Sequence, residues 1–285
     1  MSNSSLSHAL VVEGGAMRGI FATGVLDTWL QQHYQPFDMY FGVSAGATNI
    51  AAYLCQQHQR NYKVITDYSC RPEFINYLRF ARGGHLFDLD WLWQQTIADI
   101  RLDLATFAKQ VAPFYVVATN IANGQAEYLK ANADNLEAIL KASCALPLAY
   151  RDYPQIGDKQ YTDGGLSDSI PVQQAYLQGE GAKRITVILS QPLGYRKKPS
   201  RSLWVTRRLL RDTPALISAS SRRAEGYNQS LEFIHSPPPD CHIEVIAPDP
   251  EFAVGRTTRD ADKLRHGYTL GCQQGLDYLQ RLSIN

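Results

Sequence analysis

The sequence predicts an α/β fold, and three observations carry that expectation. Short β-branched and aromatic runs at 9–12, 38–41, 114–119, 185–189 and 243–246 have the length and composition of buried strands. The first two pass through a glycine-containing turn into a segment with helical apolar spacing, the alternation that builds parallel sheets. With 285 residues, 45% hydrophobic and 19% charged, the chain suits one large α/β domain or a domain with a small appendage.

Residues 9–12 run directly into Glu13-Gly14-Gly15-Ala16-Met17-Arg18-Gly19, and 20–30 follow as a helix. Such a turn leaves backbone N–H groups free at a helix N-terminus, where an anion can bind. The strand at 38–41 ends in Gly42-Val43-Ser44-Ala45-Gly46, and 45–56 continues as a helix whose small residues allow close packing under the sheet. Between 57 and 103 helical stretches at 74–80 and 86–100 break at Gly83-Gly84. Their aromatics (Tyr77, Phe80, Phe87, Trp91, Trp93) read either as core or as the lining of an apolar acyl pocket. The strand at 114–119 turns at Asn123-Gly124 and returns antiparallel through 126–129. A helix over 135–145 stops at Pro147.

A second hairpin around 155–160 leads into Tyr161-Thr162-Asp163-Gly164-Gly165-Leu166, which presents a carboxylate at a strand end. Pro171 is expected at the first position of the next helix. Residues 195–212 are rich in arginine and lysine. A helix over 202–212 would set Leu203, Val205, Leu209 and Leu210 on one side, with Trp204 and the arginines on the other. That pattern is either a solvated basic face or a contact for anionic lipid heads. Pro237-Pro238-Pro239 marks a surface connection, and 261–284 reads as a C-terminal helix weakened by Gly267, Gly271 and Gly275.

A formal net charge of +1 offers no argument for nucleic acid as a partner. Five cysteines, an odd number without a C-x-x-C pair, fit neither a disulfide framework nor a zinc site and point to a reducing compartment. The polar first residues lack the features of a signal peptide, and no apolar run approaches the roughly 18 residues of a membrane span. A cytoplasmic protein is expected, in peripheral contact with a membrane surface if the basic segment meets lipid.

Gly42-Val43-Ser44-Ala45-Gly46 spells G-x-S-x-G between a strand and a helix, the setting of a nucleophile elbow with Ser44 at its apex. The glycine loop at 14–19 admits three readings: an oxyanion hole, a dinucleotide phosphate loop, or a turn with no ligand. For the dinucleotide reading, Asp38 is the candidate ribose-binding acid.

Taken in order, the glycine loop, the G-x-S-x-G and Asp163-Gly164-Gly165 resemble the patatin-like phospholipase family of lipid acyl hydrolases. Ala145-Leu146-Pro147, Pro171-Val172 and the run 115–119 followed by Glu127 agree with it, over roughly residues 9–189. The resemblance implies a three-layer α/β/α fold with a mostly parallel central sheet, and a patatin-like catalytic core over 9–190, extending to about 250 at most. Residues 191–285 would then form a C-terminal extension packed on it. It also implies Ser44 as nucleophile and Asp163 as general base, with oxyanion donors among Gly14, Gly15, Ala16 and Met17. Arg18 and Gly19 would order the loop, and no metal or organic cofactor is needed for an acyl lipid substrate. Two positions depart from the family pattern. Ala16 replaces the third glycine of the loop, tolerable only if the position does not need φ above zero, and Ser169 stands where asparagine is usual. Two further readings remain: a Ser-His-Asp hydrolase drawing on His235, His242 or His266, and a catalytically silent lipid-binding protein on the same fold.

Overall fold

A computed structural model describes residues 7–178, 184–199 and 203–284, the side chains of Leu203, Val205 and Ile284 excepted. Its sheet is built around β1 (His8–Val12), which pairs in parallel with β2 (Met39–Val43) on one edge and β7 (Arg184–Ile188) on the other. β8 (His242–Ile246) continues in parallel beyond β7, and β3 (Phe114–Asn120) beyond β2. β4 (Ala126–Lys130), β5 (Gln155–Ile156) and β6 (Lys159–Asp163) complete an eight-stranded, mostly parallel sheet with antiparallel pairings.

β1 is buried at every residue because its alternate side chains enter two cores. Leu10 and Val12 pack with residues of α1 (Ile20–Gln31), α2 (Ala45–Leu54), α7 (Leu136–Cys144) and α11 (Ala261–Ile284). Ala9 and Val11 pack with α8 (Val172–Leu177) and α10 (Pro214–His235). Helices on both faces of the sheet give the three layers that the family resemblance implied. A third cluster joins Met17 and Ile20 to the segment holding α3 (Arg60–Lys63), a π-helical turn at Val64–Tyr68, α4 (Tyr77–Ala81) and α5 (Leu89–Ile100).

Register brings the candidate site together. β4 covers residues 115–119 along one edge of β3, so β6, which pairs with 118–120, must lie on the edge that β2 also uses. β2 faces β3 only as far as Val43 opposite Val117, and Asp163 sits opposite Ala118, the next rung. The residue after β2 and the last residue of β6 therefore meet end to end.

Several expectations are corrected. After the short α6 (Leu104–Phe107), the basic segment forms α9 (Leu203–Leu209), shorter than 202–212, and Ser202 lies outside the described residues. Leu210 is buried but Leu209 is 51% exposed, so the apolar side proposed for that helix is not continuous. Pro171 caps α8 from outside its first turn. The 22-residue α10 was not anticipated at all. The glycines of α11 mark close approach rather than weakness: a Cβ on Gly271 would lie 2.0 Å from the Phe21 carbonyl of α1, and one on Gly24 2.2 Å from the Tyr268 carbonyl.

Candidate active site

Ser44 is where β2 turns into α2, at φ 53° and ψ −125°. A non-glycine residue there carries roughly 1–3 kcal/mol of backbone strain, which persists only if its surroundings hold it. They do so from two directions. The Ser44 N–H donates to Ser143 Oγ (2.8 Å), whose hydroxyl donates onward to the Val117 carbonyl (2.6 Å). Of the elbow residues Gly42, Val43, Ala45 and Gly46, both glycines mark close approach: a Cβ on Gly46 would lie 2.4 Å from the Val12 carbonyl, and one on Gly42 2.6 Å from the Ala47 Cα. Ser143 escaped the sequence reading, because nothing distinguishes it from any other serine on an amphipathic helix.

Asp163 ends β6, 4% exposed, with its N–H on the Ala145 carbonyl (2.9 Å). Its Oδ1 accepts from the Gly165 N–H (2.7 Å), and the Ser44 hydroxyl interacts with the same carboxyl. Burial pushes this carboxyl's pKa up, while the Ser44 hydroxyl, Arg223, the Gly165 amide and Arg256 pull against it. Gly164 and Gly165 form a 3-10 turn, Gly164–Leu166, whose Gly165 carbonyl accepts from Ser169 Oγ (2.8 Å) and Arg223 Nε (2.6 Å). Serine thus ties down the turn without the family's usual asparagine.

Gly14, Gly15, Ala16 and Met17 line the same pocket as Ser44 and Asp163. Among the described residues the N–H groups of Gly14, Gly15 and Ala16 have no protein acceptor, whereas Met17 N–H points at the Arg256 carbonyl (3.5 Å). Ala16 stands at φ 50°, so the position does take the left-handed conformation and alanine adopts it. Its amide remains in the pocket. Arg18 is buried and donates to Ser190 Oγ (3.2 Å). Nearby Glu13 accepts from the Ser190 N–H (2.6 Å) and the Tyr227 hydroxyl (3.1 Å). The Gly19 carbonyl accepts from Asn49 Nδ2 (2.8 Å), which fastens the loop to α2.

The pocket has both apolar and charged lining. Ile65, Phe74, Phe87, Leu92 and Trp93 supply an apolar wall, so part of the aromatic stripe is core and lining at once, while Tyr77 is 55% exposed. Lys197, Arg223 and Arg256 line the same pocket, and of these only Lys197 had drawn notice, as part of a basic run. No histidine lines the pocket among the described residues, and His235, His242 and His266 are all exposed. Asp38 precedes β2 at the end remote from Ser44 and accepts the His8 N–H (2.8 Å), which removes it from any ligand at the glycine loop. One set of possible metal ligands, His85, Asp90 and Asp152, occurs among the described residues. Asp90 there already accepts from Tyr150 and Lys141.

A serine on a strained strand–helix turn, at the C-terminal edge of a parallel sheet, defines the class of nucleophile-elbow α/β proteins. Residues 10–176 match the family model described as Patatin-like phospholipase, and the chain belongs to that family of lipid acyl hydrolases. Residues 213–283 match a domain of unknown function, DUF6363. The chain is 36% identical over 271 residues to the "Uncharacterized protein YjjU" of Escherichia coli (strain K12), covering 92% of this chain and 74% of that protein. The crystal structure of VipD from Legionella pneumophila aligns with a TM-score of 0.45 at 11% identity, over 97% of this chain and 67% of that one. No described helix is long and apolar enough to cross a membrane.

Proposed function

We propose that the protein hydrolyses carboxylic esters of phospholipids or related acyl lipids, with Ser44 as nucleophile and Asp163 as general base. The observation that carries this reading is a strained serine facing a buried carboxyl, beside unpaired loop amides in one apolar-walled pocket. The lack of a described histidine in the pocket favours aspartate as the base.

Ser44 Oγ attacks the acyl carbon while its proton passes to Asp163. An ordinary aspartate, with a pKa of about 3.9, is a weak base toward a hydroxyl. Burial strengthens it, and transfer concerted with attack avoids a free alkoxide. The N–H groups of Gly15 and Ala16 receive the charge on the carbonyl oxygen, aided by the dipole of α2. Collapse expels the alcohol, which takes the proton from Asp163 and leaves the acyl group on Ser44. Water then attacks the ester, giving its proton to Asp163. Ser44 recovers that proton as the carboxylic acid departs.

Purified protein is expected to take up a fluorophosphonate probe at Ser44, located by peptide mass, and Ser44→Ala to lose both labelling and ester hydrolysis. Asp163→Asn should lower kcat by roughly 100- to 10,000-fold. Full activity in Asp163→Asn would overturn the dyad. An intact protein that neither labels nor cleaves any acyl ester would instead be a silent lipid binder.

A further inference from the structure

Beside its apolar lining the pocket carries three cations to which the proposed ester cleavage assigns no step of its own, Lys197, Arg223 and Arg256. Lys197 follows β7, Arg223 lies on α10, and Arg256 lies between β8 and α11. All three fall outside residues 10–176, and two belong to the 213–283 unit that has no assigned role.

None of the three pairs with a carboxylate among the described residues. Arg223 spends Nε on the Gly165 carbonyl, and no described acceptor takes its terminal nitrogens. Lys197 is held by its backbone, whose N–H and carbonyl both bond the Asn228 side chain (2.9 and 3.0 Å). Its ammonium lies 3.9 Å above the centre of the Tyr227 ring. Burial, then Arg223, Arg256 and Arg18, push Lys197 down to about 7 against the pull of Glu13. Arg223 is lowered to about 10 by burial, Arg256 and Arg18, with Asp163 opposing. The cluster is therefore held together against mutual repulsion, a cost that a bound anion would reverse.

We infer that Lys197, Arg223 and Arg256 form an anion subsite for a phosphate-class oxyanion carried on the alcohol portion of the ester. Guanidinium forks match the tetrahedral oxygens of a phosphate, and a lysine adds a point charge. The acyl chain then lies along Phe74, Phe87 and Leu92, and the ester carbonyl meets Ser44 at the boundary. The charged leaving group faces the cations. This assignment rests on Ser44 as the nucleophile, and it gives the 213–283 unit a role in completing the substrate pocket of the patatin-like core.

The test compares two short-chain esters with the full chain below their aggregation limits: dihexanoylglycerol 3-phosphate and uncharged dihexanoylglycerol. The readout is the ratio of their kcat/KM values. The wild type is expected to favour the phosphate ester. Arg256→Gln and Lys197→Gln should each lower that ratio about 10-fold, the scale of one charge-assisted hydrogen bond. Arg256→Lys should retain more of it than Arg256→Gln. Inorganic phosphate should compete with dihexanoylglycerol in the wild type and less well in Arg256→Gln. A wild-type ratio near one, or a ratio unmoved by either glutamine variant, would overturn the subsite. Phosphate inhibition with a ratio near one would make this a site for free phosphate, which also overturns it. Failure to cleave either ester, without probe labelling, would bring down the Ser44 reading and the subsite with it. Cleavage of both at equal efficiency brings down the subsite alone.

Discussion

Ser44, Ala16 and Asp163 each hold a conformation or a charge that the isolated chain would not choose. Ser44 and Ala16 take positive φ, which costs a non-glycine residue roughly 1–3 kcal/mol. Burial raises the pKa of Asp163, so its proton is held more tightly in the folded protein than in the unfolded chain. Its contribution to stability is full below the unfolded value of 3.8 and is lost as pH rises through the folded value. At neutral pH the carboxylate is then a net liability to the fold. Asp163→Asn keeps the acceptor for the Gly165 N–H and removes the titration. It should raise Tm at pH 7 by roughly 2–4 °C for each kcal/mol relieved, with no gain near pH 3. A lower Tm at pH 7, measured by calorimetry on Asp163→Asn, would show that the buried charge is not destabilising. The three motif residues were legible because the residue types and order of their motifs set them apart. The left-handed backbone at Ala16 was not, since an alanine in sequence says nothing of φ.

At the scale of elements, the glycines of α11 turn a propensity argument around. Replacing a helix-interior glycine by alanine gains roughly 1 kcal/mol where there is room. At Gly271 the new Cβ would press on the Phe21 carbonyl at 2.0 Å, backbone that cannot move aside, and overpacking of this kind costs typically 1–3 kcal/mol. Gly226 of α10 has no neighbour within 4 Å of its added Cβ. Gly271→Ala should therefore lower the urea midpoint and Gly226→Ala raise it; equal shifts of the same sign would refute the close-packing account. α10 itself had a readable signal. Pro214 stands in its first turn, and Leu216, Ala219, Tyr227, Leu231 and Ile234 recur at helical spacing. Small and polar residues, Ala224 and Ser230, fill the other buried positions, which thins the apolar stripe below what a pattern search notices. Arg223 was invisible for the same reason, and it carries no motif.

For the whole molecule, strand identities could be read from composition, but the order of the sheet could not, because pairing β6 to the edge of β3 beyond β2 is a long-range choice. The same holds for the cations of the pocket, which converge only when three separate segments close over it. Long-range assembly also sets the response to acid. His8 opens β1, its Nε2 2.8 Å from Thr186 Oγ1 on β7. Thr186 in turn contacts the Tyr278 hydroxyl of α11 (3.0 Å), which donates to Glu244 of β8 (3.0 Å). Burial, then Arg184, push the His8 pKa down to about 4, against the pull of Glu244 and Asp38. A depressed pKa contributes stability above the unfolded value of 6.5 and loses it as pH falls toward the folded value. The loss approaches 3 kcal/mol, on the order of what such a shift represents, at a point that joins three strands and the C-terminal helix. Urea titrations at pH 7 and pH 4.5 should therefore show a decline in unfolding free energy about 2 kcal/mol larger for the wild type than for His8→Gln. The glutamine variant loses the ring contact with Phe37 at both pH values, so only the difference between them reports on titration. Equal declines in the two proteins would remove His8 as the origin of acid sensitivity.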